Sequence, residues 1–388
     1  MRIWHGQERH EQPLTHSDAL LVVTSYALAL RDHEMLSRQK YALLVLDEAQ
    51  TIKNPSAKIT QSLKRLPIEQ RLCLTGTPLE NHLGELWSLF DFLMPGLLGA
   101  QKRFSQHFRT PIEKHGDVER QRRLNNAIAP FLLRRKKQAV AAELPAKTEI
   151  IRKIELDSEQ AKLYETIRVG MEKRVRKLLQ EHGVAKSHIQ MLDALLKLRQ
   201  SCCHPDLVKL DSARRVKTSA KTDFVLSMID ELIREGRTII LFSQFTQMLD
   251  ILARELRNRD IDFVKLTGKT RKRQEAVDAF QSAKVPLFLI SLKAGGTGLN
   301  LTAADTVNHY DPWWNPAVEN QATDRAHRIG QDKPVFVYKL IADNTVEDKI
   351  VAMQARKQAL ADATVERGDA NPIKSLSSAD ILSLFAED

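Results

Sequence analysis

The stretch LLVLDEAQTIKNP, residues 43–55, runs from four apolar residues directly into Asp47 and Glu48. An apolar run of this kind is typical of a central strand in a parallel sheet, where ligands bind beyond the carboxyl ends of the strands. Two carboxylates at that edge suit metal–nucleotide chemistry, because one can hold Mg²⁺ while its neighbour orients an attacking water. The stretch therefore predicts a parallel α/β fold with Asp47 and Glu48 at a nucleotide site.

The phosphate-binding loop that normally accompanies such acids does not occur in this sequence. Its pattern is G-x-x-x-x-G-K-[ST], and its backbone N–H groups cradle the phosphates. Gly268 and Lys269 match the end of the pattern, but Phe263 stands where the first glycine is required, and Gly6 is the single glycine before Asp47. We therefore expect the cradle to lie upstream of Met1, in a missing N-terminal segment of the same protein.

Strand-like and helical segments alternate along the chain. Apolar runs of strand length occur as ALLVVTSY, YALLVLDE and RLCLTGT and, after a long gap, as TIILFSQ, FVKLTG, PLFLISL, DTVNHYD and VFVYKLI. Stretches such as QMLDILARELRNR have apolar residues three and four apart, which is typical of amphipathic helices. This alternation predicts parallel sheets whose strands are joined by crossover helices.

Two predicted α/β lobes are each interrupted by a Leu-rich, charged region with a helical pattern. The first lobe, residues 1–145, carries a helical insertion at about 82–142 and has three clear strands, too few for a complete nucleotide-binding lobe. The second lobe, residues 146–350, carries a helical insertion at about 157–235. Residues 351–388 are expected to form a helical tail.

Composition limits the partners and the compartment. The chain has 59 Lys and Arg against 49 Asp and Glu, a formal net charge of +10, which favours a polyanionic partner. No apolar run approaches the roughly 20 residues of a membrane span, and the charged start does not resemble a secretory signal. We therefore expect an intracellular protein with no membrane association. Cys202, Cys203 and His204 suggest a zinc site, but zinc needs about four ligands, which favours a packed helix end.

Residues 289–331 hold the strongest functional signal. They join a glycine-rich turn (Gly295, Gly296, Gly298), a strand ending in Asp311, and a predicted helix with Arg325 and Arg328. Glycines let backbone N–H groups approach a phosphate, and arginines three apart share a helical face from which they can reach a phosphoryl group. The alternatives are an ordinary turn and surface salt bridges to Asp324 or Glu319. Trp313 and Trp314 are interpreted as packing residues, with a DNA-facing or coupling role as the alternative.

The order of blocks along the chain resembles the Swi/Snf-type ATP-dependent DNA translocases of the helicase-like superfamily two. The blocks are VVTSY, LVLDEAQTIKNP, LTGTPLENHLGELWSLFDFL, FLLRRKK, ILFSQFTQML, KAGGTGLNLT and QATDRAHRIGQ, and they extend over about residues 20–360. Seven blocks in this order are not expected by chance. The resemblance implies two RecA-like parallel-sheet lobes, the first incomplete, with helical insertions that match the protrusions of this family.

The resemblance assigns roles to individual residues. The catalytic residues would be Asp47 as Mg²⁺ ligand, Glu48 as the base that activates water, and Gln321, Arg325 and Arg328 in the block that presents arginine fingers. Coupling between the nucleotide and DNA would involve Thr75, Gly76, Thr77 and Gly298. The DNA backbone would be held by Thr24, Ser25, Ser243, Gln244, Gly296 and Thr297. The two lobes would thus contribute opposite halves of one ATP site.

The function that the resemblance implies is translocation on duplex DNA, driven by ATP with Mg²⁺, and remodelling of protein–DNA complexes. Because the phosphate loop is missing, we expect this chain alone to hydrolyse ATP weakly or not at all. One alternative is a non-catalytic DNA- or partner-binding module that keeps the fold. A strand-separating helicase is a third hypothesis, which the large helical insertions disfavour.

The resemblance also implies partners and a compartment. Double-stranded DNA is the expected partner, with a DNA-bound protein or RNA polymerase as further candidates. Position 50 holds Gln in place of His, and the chain is compact without low-complexity tails. Both features favour a prokaryotic cell. The expected location is then the nucleoid in the cytoplasm, and in a eukaryote it would be the nucleus.

Overall fold

The computed structural model of the chain describes residues 1–6, 9, 21–76, 83–133, 135, 143–295, 298–363 and 384–385. The chain divides into two compact units, the first over residues 1–134 and the second beginning at residue 135. Every strand pairing within the described ranges is parallel, which confirms the predicted parallel α/β fold. Among the helices in these ranges, none combines the length and apolar character needed to cross a bilayer.

The first unit contains two small sheets. Its strands are β1 (Arg2–Trp4), β2 (Val22–Thr24), β3 (Tyr41–Leu46) and β4 (Ile68–Cys73), and its helices are α1 (Tyr26–Arg31), α2 (His33–Ser37), α3 (Lys58–Lys64), α4 (Leu83–Leu93), α5 (Gln101–Phe104), α6 (Thr110–His115) and α7 (Val118–Ile128). Strand β1 pairs with β2, and β3 pairs with β4. Sequence analysis missed β1, because three residues are too few to show a hydrophobic period.

Each of these small sheets buries one face and leaves an apolar face exposed. Val45 and Leu72 lie side by side and are each 45% exposed, whereas Leu46 on the opposite face of the sheet is 5% exposed. Ile3 and Val23 form a similar exposed pair on β1 and β2. Since helices normally cover both faces of a parallel sheet, the described residues of the first unit form only part of a lobe.

Helix α4 explains how the first helical insertion attaches to this partial lobe. Leu89 and Phe92 pack into the apolar cluster that includes the strands. Leu86, Trp87 and Phe90 pack on the other side, in a cluster that contains residues of α5, α6 and α7. A helix that is apolar around most of its circumference is buried on most sides, so α4 joins the strands to the predicted insertion.

The second unit contains one six-stranded parallel sheet in the order β5-β10-β9-β6-β8-β7. Its strands are β5 (Lys147–Ile154), β6 (Ile239–Ser243), β7 (Phe263–Leu266), β8 (Leu287–Ser291), β9 (Thr306–His309) and β10 (Val335–Ala342), and its helices are α8 (Ser158–Cys203), α9 (Ala220–Arg234), α10 (Thr246–Arg257), α11 (Arg273–Gln281), α12 (Leu292–Gly295), α13 (Pro316–Thr323) and α14 (Val346–Ala363). The predicted apolar runs from TIILFSQ to VFVYKLI correspond to β6–β10.

Helices cover both faces of the neighbouring inner strands β6 and β8. Every residue of β6 and β8 is buried. Leu241 and Leu289 pack in a cluster with residues of α9 and α10. Ile240 and Phe288 point to the opposite face and pack with residues of α11 and α13. Continuous apolar runs therefore indicated strands that are buried on both faces, and their carboxyl ends open onto one edge of the sheet.

The helical region predicted at about 157–235 contains α8 and α9. The carboxylate of Asp157 accepts hydrogen bonds from the backbone N–H groups of Glu159 (3.1 Å) and Gln160 (2.8 Å) and so caps the 46-residue helix α8. Cys202 and Cys203 are fully buried at the other end of this helix. Within the described ranges, no His, Cys, Asp or Glu side chains cluster in a way that would hold a metal ion. The SCCHP stretch is a packed helix end.

Candidate functional site

Asp47 lies immediately beyond the carboxyl end of β3, with an exposed side chain. Its Oδ1 accepts a hydrogen bond from the backbone N–H of Glu48 (3.0 Å), and its backbone carbonyl accepts one from the Tyr26 hydroxyl (2.8 Å). In the part of the chain that the structure describes, Oδ2 accepts no hydrogen bond. Asp47 therefore presents one open carboxylate oxygen at the edge of the sheet.

Glu48 adopts a left-handed backbone conformation, with φ 51° and ψ 50°. This conformation costs a residue other than glycine about 1–2 kcal/mol. The neighbouring backbone holds it in place, because Leu74 N–H donates to the Leu46 carbonyl (2.8 Å) and Ala49 N–H donates to the Leu74 carbonyl (2.9 Å). Such strain at a strand end is typical of functional sites, and it turns the chain sharply after the second acid.

A series of side-chain hydrogen bonds joins Glu48 to the predicted coupling block. The Gln50 amide nitrogen donates to Glu48 Oε2 (2.7 Å), and the Thr75 hydroxyl donates to Gln50 Oε1 (2.7 Å). Gly76 follows Thr75 in the same turn, and Thr77 lies outside the described residues. The structure thus brings Glu48 and Thr75 together through Gln50. Sequence analysis missed this bridging role, although an amide can donate and accept at once.

Tyr26 is a second residue that sequence analysis did not single out. Burial raises the pKa of its hydroxyl well above the ordinary value, and the neighbouring Cys73 and Asp47 raise this pKa further. Tyr26 therefore stays protonated and can donate to the Asp47 carbonyl. Burial also raises the pKa of the Cys73 thiol to about 12, so this cysteine stays neutral.

Thr24 and Ser25, the predicted DNA contacts of the first unit, lie at the carboxyl end of β2. The Thr24 hydroxyl donates to the Trp4 carbonyl (3.0 Å). The Ser25 hydroxyl accepts from the Leu28 N–H (3.4 Å) and caps α1, while the residue itself is exposed. Both hydroxyls thus have local structural partners, and the contact with DNA stays a prediction.

Ser243 and Gln244 lie where β6 ends, beside Asp311, the second residue after β9. The Ser243 side chain is buried, and its hydroxyl donates to Asp311 Oδ1 (2.5 Å). The Gln244 backbone N–H donates to the same oxygen (3.3 Å). Asp311 therefore holds the ends of two neighbouring strands together. The predicted DNA role of the Ser243 hydroxyl stays a prediction, since this hydroxyl is engaged within the protein.

The structure describes two glycines of the glycine-rich turn after β8, and each position requires glycine for a different structural reason. A Cβ atom on Gly295 would lie 2.5 Å from the Phe242 ring, so close packing on β6 requires glycine there. Gly298 has φ +56°, in the left-handed region that favours glycine. Gly296 and Thr297 lie outside the described residues. Packing and turn geometry thus account for both described glycines.

The arginines follow α13 rather than lying on it, so the prediction of a helix carrying both is wrong. Helix α13 ends at Thr323. The carbonyls that would continue the helix are used elsewhere: that of Arg325 accepts from Leu301 N–H (3.0 Å), and that of Ala326 accepts from the Gln331 side chain (3.0 Å). The side chain of Arg328 is exposed in this turn. The arginines are thus carried by a turn that is bonded to the segment before β9.

Gln321 and Glu319 lie on α13 itself. Gln321 is half-buried, two residues before the end of the helix. Glu319 is 2% exposed and does not pair with an arginine; its Oε1 accepts from the Trp313 backbone N–H (2.6 Å), and its Oε2 lies 3.8 Å from the Lys339 ammonium. The proposed alternative of a surface salt bridge to Glu319 is therefore wrong. Burial raises the pKa of Glu319 to about 7.

Replacing Glu319 by Gln is expected to flatten the pH dependence of stability between about pH 5 and 8. Because the pKa is about 7 in the folded protein and 4.5 ordinarily, the folded state holds a proton that the unfolded chain releases. The stabilisation from Glu319 is therefore complete below pH 4.5 and is lost as pH rises through 7, by about 3 kcal/mol. Urea unfolding of both proteins at several pH values measures the difference.

Glu275→Gln is the control for this experiment, because Glu275 is exposed on α11. This variant should follow the unmodified chain across the pH range. Parallel curves for all three proteins would contradict the prediction for Glu319.

Two family models match the chain in succession. The model of the SNF2-related domain matches residues 1–207, and the model of the helicase conserved C-terminal domain matches residues 220–330. The first match covers more than half of the 388 residues.

Curated relatives come from bacteria and eukaryotes. An uncharacterized ATP-dependent helicase of Mycoplasma genitalium is 40% identical over 94% of this chain and 34% of its own length. A putative ATP-dependent helicase/translocase of Bacillus subtilis is 39% identical over 95% of this chain and 40% of its own. The human SWI/SNF-related matrix-associated actin-dependent regulator of chromatin subfamily A member 1 is 37% identical over 89% of this chain and 34% of its own length. The chain thus spans about a third of the length of these relatives.

A solved structure is matched over a larger share of its own length. The Sulfolobus solfataricus SWI2/SNF2 ATPase core in complex with dsDNA is 35% identical, with a TM-score of 0.51. The match covers 100% of this chain and 81% of that one.

Proposed function

Because the chain belongs to the SNF2-related family, we propose that it supplies two lobes of a Swi/Snf-type ATPase that translocates on duplex DNA and remodels protein–DNA complexes. The observation that carries the proposal is the hydrogen-bonded series from Thr75 through Gln50 to Glu48, beside the open carboxylate of Asp47. It links a group suited to activate water with the block that we expect to respond to DNA. The similarity to an ATPase core solved with dsDNA supports the choice of DNA as partner.

Asp47 fits a magnesium site. Mg²⁺ usually takes one or two protein carboxylates and completes its shell with water and phosphate oxygens. An exposed carboxylate with an open oxygen at the carboxyl edge of a sheet meets this need. The ion, when bound with ATP, neutralises charge on the phosphates. Glu48, next to Asp47, would accept the proton of the attacking water, and its bond to Gln50 holds its carboxylate in one orientation.

In the proposed reaction, Arg325 and Arg328 stabilise the charge that develops on the transferred phosphoryl group. Arginines in this role contribute a factor of about 10³ to 10⁵ to the rate. The turn that carries them is bonded to Leu301 through the Arg325 carbonyl. A bonded turn limits the rearrangement of the backbone that carries the arginines, which favours preorganised stabilisation of the transition state.

We expect the purified 388-residue chain to bind duplex DNA with an affinity that falls steeply as salt rises. Each phosphate contact contributes about −0.9 to the slope of log affinity against log salt concentration. Fluorescence anisotropy with a labelled duplex at several KCl concentrations measures this slope. Glu48→Gln is the control, because Glu48 is assigned to water rather than to DNA and its substitution should leave the slope unchanged. Binding that does not respond to salt would contradict the proposal.

We also expect this chain to hydrolyse ATP much more slowly than a longer version that includes a phosphate-binding loop. The pattern of that loop does not occur in the 388 residues, and the loop supplies most contacts to the β- and γ-phosphates. Phosphate release with and without duplex DNA measures the difference. Equal rates in the two proteins would show that the loop is not needed.

The absence of the phosphate-loop pattern from these 388 residues also favours the alternative function, a non-catalytic DNA-binding module. It predicts the same salt-dependent binding to DNA. It differs in predicting no hydrolysis even when the phosphate-binding loop is present in the polypeptide, so the longer version distinguishes the two functions.

A further inference from the structure

Arg199 is a buried cation near the C-terminal end of α8, and the proposed reaction does not use it. It is 2% exposed, although arginine is rarely buried without strong partners. Helix α8 belongs to the helical insertion, whereas the contacts of Arg199 lie on the loops that follow β6 and β9. A single side chain therefore connects the insertion to the carboxyl edge of the sheet.

The guanidinium group of Arg199 bonds to both loops. Its Nη1 donates to the Gln244 side-chain oxygen (2.9 Å), and its Nη2 donates to the Pro312 carbonyl and lies 3.8 Å from Asp311 Oδ2. Asp311 also accepts from the Ser243 hydroxyl, as described above. A planar group with donors in several directions can span two loops in this way, whereas a lysine ammonium cannot.

Three aromatic rings surround the same guanidinium group. Its central carbon lies 5.8 Å from the ring centre of Phe245, 5.9 Å from that of Trp313 and 5.4 Å from that of Trp314. Cation–π contacts stabilise a guanidinium group more strongly when it is desolvated than when it is exposed. The two tryptophans are therefore packing residues, as the sequence analysis favoured, and what they pack around is a buried arginine.

The loop that Arg199 holds leads directly into α13. The Trp313 N–H donates to Glu319 on this helix (2.6 Å), and the Trp313 carbonyl accepts from the Gln354 side chain. Asn315 caps α13 by accepting from the Ala317 N–H (3.0 Å). The three residues between Pro312 and the helix, Trp313, Trp314 and Asn315, are each bonded or packed, so we expect a displacement of the loop to move α13.

We propose that Arg199 is a positioning residue through which helix α8 of the insertion sets the position of α13 and of the arginine-bearing turn after it. The proposal rests on the proposed function for the role of Arg325 and Arg328. It assigns the helical insertion a part in placing these arginines. A purely structural role would instead make Arg199 one of many groups that stabilise the second unit as a whole.

Arg199→Lys tests the proposal, because it keeps the charge and loses the planar fork. Hydrogen–deuterium exchange should become about tenfold faster in residues 316–328, since local opening is set by local contacts. Exchange in β6 and β8 should not change. An equal increase across the second unit, or an increase confined to α8, would overturn the proposal.

Fluorine NMR of 5-fluorotryptophan supplies a second readout, which reports on two of the rings that surround Arg199. The chain has four tryptophans, and single Trp→Phe variants assign their signals. In Arg199→Lys we expect the signals of Trp313 and Trp314 to shift and those of Trp4 and Trp87 to stay. Unshifted signals of Trp313 and Trp314 would count against the proposal.

Arg168→Lys is the matched control. Arg168 lies on the same helix, is 6% exposed, and bonds to Glu165, Glu172 and the Phe385 carbonyl. The same substitution there should leave exchange in residues 316–328 and the two tryptophan signals unchanged. An equal response to both substitutions would refute a specific role for Arg199.

Gln244→Ala keeps the test decisive if Arg199→Lys does not fold, as judged by circular dichroism. It removes one partner of the guanidinium and should make exchange in residues 316–328 faster by a smaller factor. Unchanged exchange there would again overturn the proposal. Titration with duplex DNA separates this test from that of the proposed function. A chain that binds no DNA would contradict the proposed function, while the exchange result would still decide whether Arg199 positions α13.

Discussion

Replacing Lys221 by Met is expected to lower the free energy of unfolding by about 3–5 kcal/mol, because it leaves a carboxylate buried without its counter-charge. Lys221 and its partner Glu347 are both fully buried. The Lys221 ammonium donates to Glu347, to the Tyr310 carbonyl (3.1 Å) and to the Leu340 carbonyl (3.1 Å). The ammonium therefore has a partner on each of three elements: the end of β9, β10 and α14.

The charges of this pair depend on each other. Burial by itself lowers the pKa of Lys221, but the attraction and hydrogen bond of Glu347, together with the neighbouring Cys203 and Cys202, outweigh it, so the pKa is raised and the lysine stays charged. Glu347 also accepts from the Ala342 N–H (2.8 Å), which helps to hold its own charge. Removal of the lysine leaves Glu347 with too few donors for a buried carboxylate.

Urea unfolding at pH 7 measures this loss. Lys162→Met is the control, because Lys162 pairs with Glu159 on the exposed surface of α8, where water and salt weaken such pairs. A double substitution, Lys221→Met with Glu347→Leu, should recover much of the lost stability, since it removes both charges. A loss below about 1 kcal/mol in Lys221→Met would refute the prediction.

Replacing Arg325 or Arg328 by Ala is expected to lower ATP turnover by a factor of about 10³ to 10⁵, if these arginines act on the transferring phosphoryl group as proposed. The experiment needs a polypeptide that contains these 388 residues together with a phosphate-binding loop, because hydrolysis must be measurable. The effect should appear in the maximal rate rather than in DNA binding, since the arginines are assigned to the transition state.

Arg259→Ala is the matched control for both variants. Arg259 is an arginine of the second unit that pairs with Asp230 (2.6 Å) at the surface. Its removal should leave turnover within about twofold, as is usual for exposed ion pairs. If Arg325→Ala and Arg328→Ala also stay within that range, the arginines do not act on the nucleotide.

Local sequence was sufficient for the longer strands and for the place of Asp47 and Glu48 after β3, but not for the three-residue β1. The run before Asp47 is apolar, as expected for a strand of a parallel sheet, and acids that directly follow such a run lie at its carboxyl edge. The same reasoning placed Asp311 at a strand end, and in the structure it lies two residues beyond β9. These predictions depend only on residues adjacent in the chain.

The sequence was less informative about which side chains meet. Gln50 bridges Glu48 and Thr75 only because β3 and β4 pair in one particular register. Arg199 meets Gln244 across 45 positions and Pro312 across 113 positions. A pattern of neighbouring residues contains no information on such distances.

Sequence alone therefore determined the class of fold, the order of strands and helices, the family, and the residues at the strand ends, because each follows from local hydrophobic patterns and motif order. Only the tertiary structure decided that α13 stops at Thr323, that Ser243 turns inward, and that a buried arginine from the insertion holds the loop before the predicted fingers. The physical reason is that hydrogen bonds and burial between distant segments override local helical preference and select the partner of each polar group.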